Sequence, residues 1–139
     1  MFVKIVVLAF ILLEFSNVLV LYIEPGSRFA NAVGFFNAWE KSKQDPEIHE
    51  FVKYLVNWIA GVKLMLLLLL ALIVLYANQE LQRLSLVVLA LTTASFYWRL
   101  FPSIRKMDKN NQITPRNHST LLGIMILGFI VFFLAAALL

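Results

Sequence analysis

The chain has 139 residues, of which 61% are hydrophobic and 14% charged, with a net charge of +4 and no cysteine. Soluble domains are about half apolar and a quarter charged, so this balance, with a mean hydropathy of +0.83, marks one membrane domain rather than a larger soluble core. The missing thiols exclude disulfides, thiolate catalysis, zinc–thiolate sites and iron–sulfur clusters, and the basic charge reads as loops beside anionic lipid rather than as nucleic-acid binding.

Val3 to Ile23 is the first apolar run, and it stops at the turn signal Glu24-Pro25-Gly26. Glu14 and Asn17 interrupt it and no small-x-small cleavage site follows, so it reads as a span rather than a cleaved leader. A short interfacial or cytoplasmic helix is predicted over 28–43, opened by Ser27 and too polar to cross a bilayer. Ala30, Gly34 and Ala38 recur every four residues there and would line one helix face, where another helix can approach closely.

Asp45-Pro46 is a cap followed by a proline tolerated in the first turn. No breaker follows until Asn78, so this helix is predicted to run about 32 residues, roughly 48 Å. A hydrocarbon core is only about 30 Å thick, so the first two or three turns should project from the membrane, with Tyr54 and Trp58 at aromatic-belt depth. Asn78-Gln79-Glu80 is a tight polar link. The third span should run from Leu84 to Phe101 and close at Pro102. Thr114-Pro115 is a second cap-plus-proline start, and Thr120 to Leu139 is an uncharged last span.

The fold class is therefore an all-α integral membrane protein with four transmembrane helices in one domain, spans near 3–23, 55–77, 84–101 and 120–139. Helices are predicted near 2–23, 28–43, 46–77, 80–101 and 115–139. Nine Lys and Arg residues fall in or beside the two larger loops (Arg28, Lys41, Lys43, Lys53, Arg99, Arg105, Lys106, Lys109 and Arg116), against Lys4 and Arg83 on the other side. Loops 24–54 and 102–119 should thus be cytoplasmic and both termini outside.

Charge inside a span costs about 2.5–3.5 kcal/mol on the insertion scale, so Glu14 and Lys63 need partners. Counted from the loop side, Glu14 lies about 14 Å and Lys63 about 12 Å into their spans. At that shared depth they can neutralise each other. Asn17 shares the face of Glu14, and Thr92 and Ser95 on the third span fall near the same level, as does Gly128 on the fourth, where a neighbour can come close. His49, Lys53 and Asn57 form a stripe at helical spacing that leads toward Lys63, and Arg99 lies on the same cytoplasmic side. One reading is a polar chamber open to the cytoplasm. The other is a structural ion pair that sets helix register, with the hydroxyls bonding back to their own helices.

Catalytic motifs are absent: there is no phosphate loop, HExxH or GxSxG, and His49 and His118 stand on different segments, which gives no metal-ligand spacing. No cofactor is implied. Three functions compete: a non-enzymatic protein acting as a homo-oligomer or accessory subunit of a membrane complex, a small-solute, ion or proton transporter built on Glu14 and Lys63, and a membrane enzyme or binding protein for a lipophilic substrate. The expected partners are the bilayer, anionic headgroups at the basic loops, and either further copies or other membrane subunits.

Overall fold

The computed structural model describes residues 2–139. Six helices follow in chain order: α1 (Phe2–Ile23), α2 (Asn37–Ser42), α3 (Pro46–Tyr76), α4 (Gln79–Ala94), α5 (Phe96–Lys109) and α6 (His118–Leu138), with one 3-10 turn at Val33–Phe35 before α2. There is no strand among the described residues, only an isolated bridge between Phe36 and Ile113. Four helical stretches are long and apolar enough to cross a membrane: Phe2–Ile23, Pro46–Tyr76, Gln79–Lys109 and His118–Leu138.

α3 starts where the sequence places it. The Asp45 carboxylate accepts from the backbone N–H groups of Glu47 and Ile48 at 3.0 and 3.3 Å, and Pro46 occupies the first turn, where its missing donor is harmless. The helix then continues unbroken through 50–60 for 31 residues. At its far end, Asn78 caps α4 by accepting from Leu81 N–H at 2.9 Å. The Gln82 amide donates to the Val74 and Ala77 carbonyls, closing the α3–α4 link on itself.

The helices associate as two pairs, α1 along α3 and α4 along α6. The pairs meet at the end of the bundle that holds the α3–α4 link. There Val3, Val6 and Val7 of α1, Leu70 and Val74 of α3, Leu86, Leu89 and Ala90 of α4, and Phe133 and Ala136 of α6 form one buried core. Toward the other end, α5 touches α4 and α6 but neither α1 nor α3. A second core there belongs to the first pair alone, with Val18, Leu21, Val56, Ala60 and Leu67 closed over by Ala30 from the loop. The two pairs rejoin through backbone: Asn37 N–H donates to the Gln112 carbonyl at 2.9 Å, and Thr114 N–H to the Phe35 carbonyl at 2.8 Å.

This rejoining overturns the predicted helix over 28–43. Asn31 and Ala32 take left-handed backbone angles, φ 49° and 53°, and Phe36 is extended to bridge Ile113. Only 37–42 remains α-helical, with the 3-10 turn at Val33–Phe35 before it. Ala30, Gly34 and Ala38 therefore do not form a stripe: Ala30 is buried in the second core, Ala38 is exposed, and Gly34 lies against the backbone of Gly26, where a side chain would collide with the carbonyl. Pro102 does not end the third long helical stretch, predicted over 80–101, either. The helix is interrupted only at the single residue Ser95, which keeps helical angles, and α5 carries Pro102 in its interior, where the burial of Ile104 and Asp108 beyond it offsets the lost backbone bond. Nor does α6 begin at Pro115. Residues 113–117 serve the bridge and a turn, and the helix opens at His118. Gly128 has no atom within 4 Å of where a Cβ would stand, so it packs against nothing in the chain. Gly123 does that work instead: the Phe101 ring lies over it, and Tyr97 hydroxyl donates to its carbonyl at 2.6 Å.

Candidate functional site

The site is built by α1, α3 and the loop between α1 and α2. Lys63 Nζ donates to Glu14 Oε2 at 2.6 Å and to Asn31 Oδ1 at 2.8 Å. Asn31 Oδ1 also accepts from Asn17 Nδ2 at 3.3 Å. Asn17 lies nearly one helical turn beyond Glu14, so both side chains leave α1 on one face. Asn31 reaches them because the loop folds back along the α1–α3 groove after Ile23, anchored by Ala30 in the second core. The left-handed angle at Asn31 turns its amide inward, a conformation that Asn tolerates better than most residues. The Lys63 and Glu14 side chains keep only 25% and 18% of their exposure.

The cluster is electrically neutral. One cation meets one anion, Asn31 binds the cation and Asn17 binds Asn31, neither amide adding charge. Charge-assisted bonds of this length are the strong ones. The Lys63 ammonium has three hydrogens, and two are directed at protein oxygens. Asn17 Oδ1 is occluded and has no hydrogen-bond partner, so one acceptor beside the pair stays unsatisfied within the chain.

Other residues singled out from the sequence lie outside this network. Thr92 Oγ1 donates to the Val88 and Leu89 carbonyls at 2.8 and 3.1 Å, and Ser95 Oγ to the Thr92 carbonyl at 2.6 Å. Both hydroxyls are thus spent on their own helix. The stripe on α3 does not lead inward as a chain of bonds. His49 Nδ1 pairs with Ser42 Oγ at 2.8 Å, and its ring packs on Trp39 at 4.9 Å between centroids. Because Ser42 donates its one hydroxyl hydrogen to the Trp39 carbonyl, His49 Nδ1 acts as the donor to it. Lys53 pairs with Glu50 at 2.7 Å, and Asn57 is exposed. Arg99 is exposed, with its guanidinium 5.5 Å from the Trp98 ring centre.

Two residues that reasoning from sequence passed over prove important. Asn31 falls within the segment predicted as the helix over 28–43, where its backbone would not reach the ion pair. The signal that points to it is an Asn shortly after Glu-Pro-Gly-Ser, where left-handed backbone is common. The second is Asp108. Its carboxylate accepts from Asn117 N–H, Ser119 N–H and the Ser119 hydroxyl at 3.0, 2.9 and 2.6 Å, so it caps the start of α6 from the end of α5.

Two shallow surface depressions lie away from the pair. One is on α6, lined by Met125, Gly128, Phe129 and Phe132; the other is at the α3–α4 link, lined by Asn78, Glu80, Leu81 and Leu84. Comparison with known protein families, with curated proteins and with solved structures gives no match.

Proposed function

We propose that the chain is a non-enzymatic four-span membrane protein that works as a homo-oligomer or as an accessory subunit of a larger membrane complex. The observation that carries this reading is how the charges within the spans are spent: Lys63 binds Glu14 on the neighbouring helix and Asn31 in the loop. That geometry fastens three segments to one another. It also cancels two charges that would each cost about 2.5–3.5 kcal/mol if left alone in a bilayer. A second observation supports the subunit reading. Only 17–22% of the most apolar window of each spanning helix is buried within the chain, leaving most of every helix for lipid or for other helices. In this reading the loops 24–54 and 102–119 face the cytoplasm and both ends of the chain face outward, as the loop charges require.

Native mass spectrometry from nanodiscs tests the proposal. The expected result is a discrete copy number or a fixed-ratio complex with another membrane protein. A lone chain at every lipid ratio, with no partner retained, sinks it.

One observation favours a second reading, an ion or proton transporter that uses the pair. Asn17 Oδ1 is occluded and unpartnered beside partly exposed charges, which leaves a hydrogen-bond acceptor for a water molecule next to the titratable Glu14. Flux into proteoliposomes that Glu14→Gln abolishes would decide for it.

A further inference from the structure

The outer face of α5 carries a concentration of charge that nothing in the chain answers. Ile104 and Asp108 are its buried residues, with Phe101 and Met107 half-buried. Trp98, Arg99, Arg105, Lys106 and Lys109 are all exposed. At 100° per residue these five fall within an arc of about 120°. Among the described residues none of the four cations has an ion-pair partner; the only ion pairs are Lys43–Glu40, Lys53–Glu50 and Lys63–Glu14. The one acid of α5, Asp108, points away into the start of α6, where its oxygens are taken. Arg116, exposed in the following loop, adds a fifth cation.

The level of this face follows from the aromatic residues. Tyr22 on α1, Tyr54 and Trp58 on α3 and Trp98 on α5 are all exposed at the loop end of their spans, the pattern of a belt at a membrane interface. Arg99 rests on Trp98 at that level. Arg105 and Lys106 lie two turns further along α5, about 10–12 Å beyond Trp98. That places them at the headgroup layer and within the Debye length of about 8 Å that follows it at physiological salt.

We infer that this face of α5 is a docking surface for the headgroups of anionic phospholipids in the leaflet on the loop side. The inference rests on the membrane reading above but not on the subunit reading. Planar guanidinium groups and compact ammonium groups both bind phosphate oxygens, and Trp98 anchors the same strip at the apolar boundary.

The test uses the full chain in nanodiscs of phosphatidylcholine with a minor fraction of phosphatidylglycerol, and native mass spectrometry of the lipids that stay bound. Each surface cation is worth at most about fivefold in lipid preference, from about 1 kcal/mol per charge. The unaltered protein should therefore retain phosphatidylglycerol at several times its bulk ratio, and salt near 1 M, where the Debye length shrinks to about 3 Å, should weaken that preference. Arg105→Gln, Lys106→Gln and Lys109→Gln together should bring it close to the bulk ratio, whereas Lys41→Gln with Lys43→Gln should leave it intact. Arg105→Lys with Lys106→Arg and Lys109→Arg keeps the charge and should restore it. Bulk-ratio lipid around the unaltered protein overturns the inference, and so does enrichment that survives the triple Gln variant. Loss of the lipid to added inorganic phosphate overturns it in favour of a free-phosphate site. A changed number of chains per disc in the triple variant, with lipid composition unmoved, assigns the face to protein contact instead. Incorporation into the disc is read in the same spectrum, so failure of the membrane reading is seen separately.

Discussion

Replacing Lys63 by Met strands the Glu14 carboxylate beside an apolar side chain. Breaking one half of a buried ion pair costs about 3–5 kcal/mol. Here the partners keep 25% and 18% side-chain exposure, so some solvent relief remains and about 2–3 kcal/mol is the expected loss. Glu14→Gln is milder. A Gln oxygen still accepts from Lys63, and the loss is that of a charge-assisted bond made neutral, about 1–2 kcal/mol. Independent effects would add to about 3–5 kcal/mol in the double variant. The double variant has no unpaired charge, so its loss should be only about 1–2 kcal/mol, a coupling of about 2 kcal/mol. The assay is reversible unfolding in mixed micelles, run as a double-mutant cycle. Asn31 supplies a third leg: Asn31→Gly retains the left-handed backbone at φ 49°, whereas Asn31→Ala loses both backbone and amide and should fall about 1 kcal/mol lower. A coupling below about 0.5 kcal/mol between Glu14 and Lys63 refutes the ion-pair reasoning.

Further outcomes are open to simple measurement. Gly123→Leu should lower the melting temperature, because even a Cβ there would stand 2.8 Å from Phe101 Cε2 and overpacking costs about 1–3 kcal/mol. Gly128→Ala, in open space, should raise it by the helix preference of Ala over Gly, about 0.8–1 kcal/mol; the reverse order would contradict the packing described. Cysteines placed at Lys43 and Lys109 should be shielded from an impermeant thiol reagent outside intact cells, and one at Gln79 should react; the opposite pattern reverses the proposed orientation.

The four apolar helices, the Asp45-Pro46 start of α3 and the depth match of Glu14 with Lys63 are all local properties of the chain. Each follows from a run length, a cap or a count of residues along a helix, and so each can be read without knowing any neighbour. The depth count shows that two side chains are at the same height. It does not show that their helices are adjacent, and Thr92 and Ser95, at a similar height, bond to their own helix instead. Gly128 fails for the same reason: a small residue permits close approach but does not bring a neighbour to it.

The segment from Glu24 to Ser42 and the chain around Thr114 were decided by tertiary structure. Their helical signals, the four-residue spacing of Ala30, Gly34 and Ala38 and the Thr-Pro start, are each worth a few tenths of a kcal/mol to about 1 kcal/mol. Against them stand the Phe36–Ile113 bridge, the burial of Ala30 and the carboxylate of Asp108 at the mouth of α6. Those contacts join residues far apart in the chain and satisfy backbone groups that a loop would otherwise leave unpaired at the bundle end. Composition, span lengths and loop charge thus belong to the sequence alone. The fold-back of the loop that carries Asn31 to Lys63 belongs to the tertiary structure, because only packing between distant segments outweighs a local helix preference.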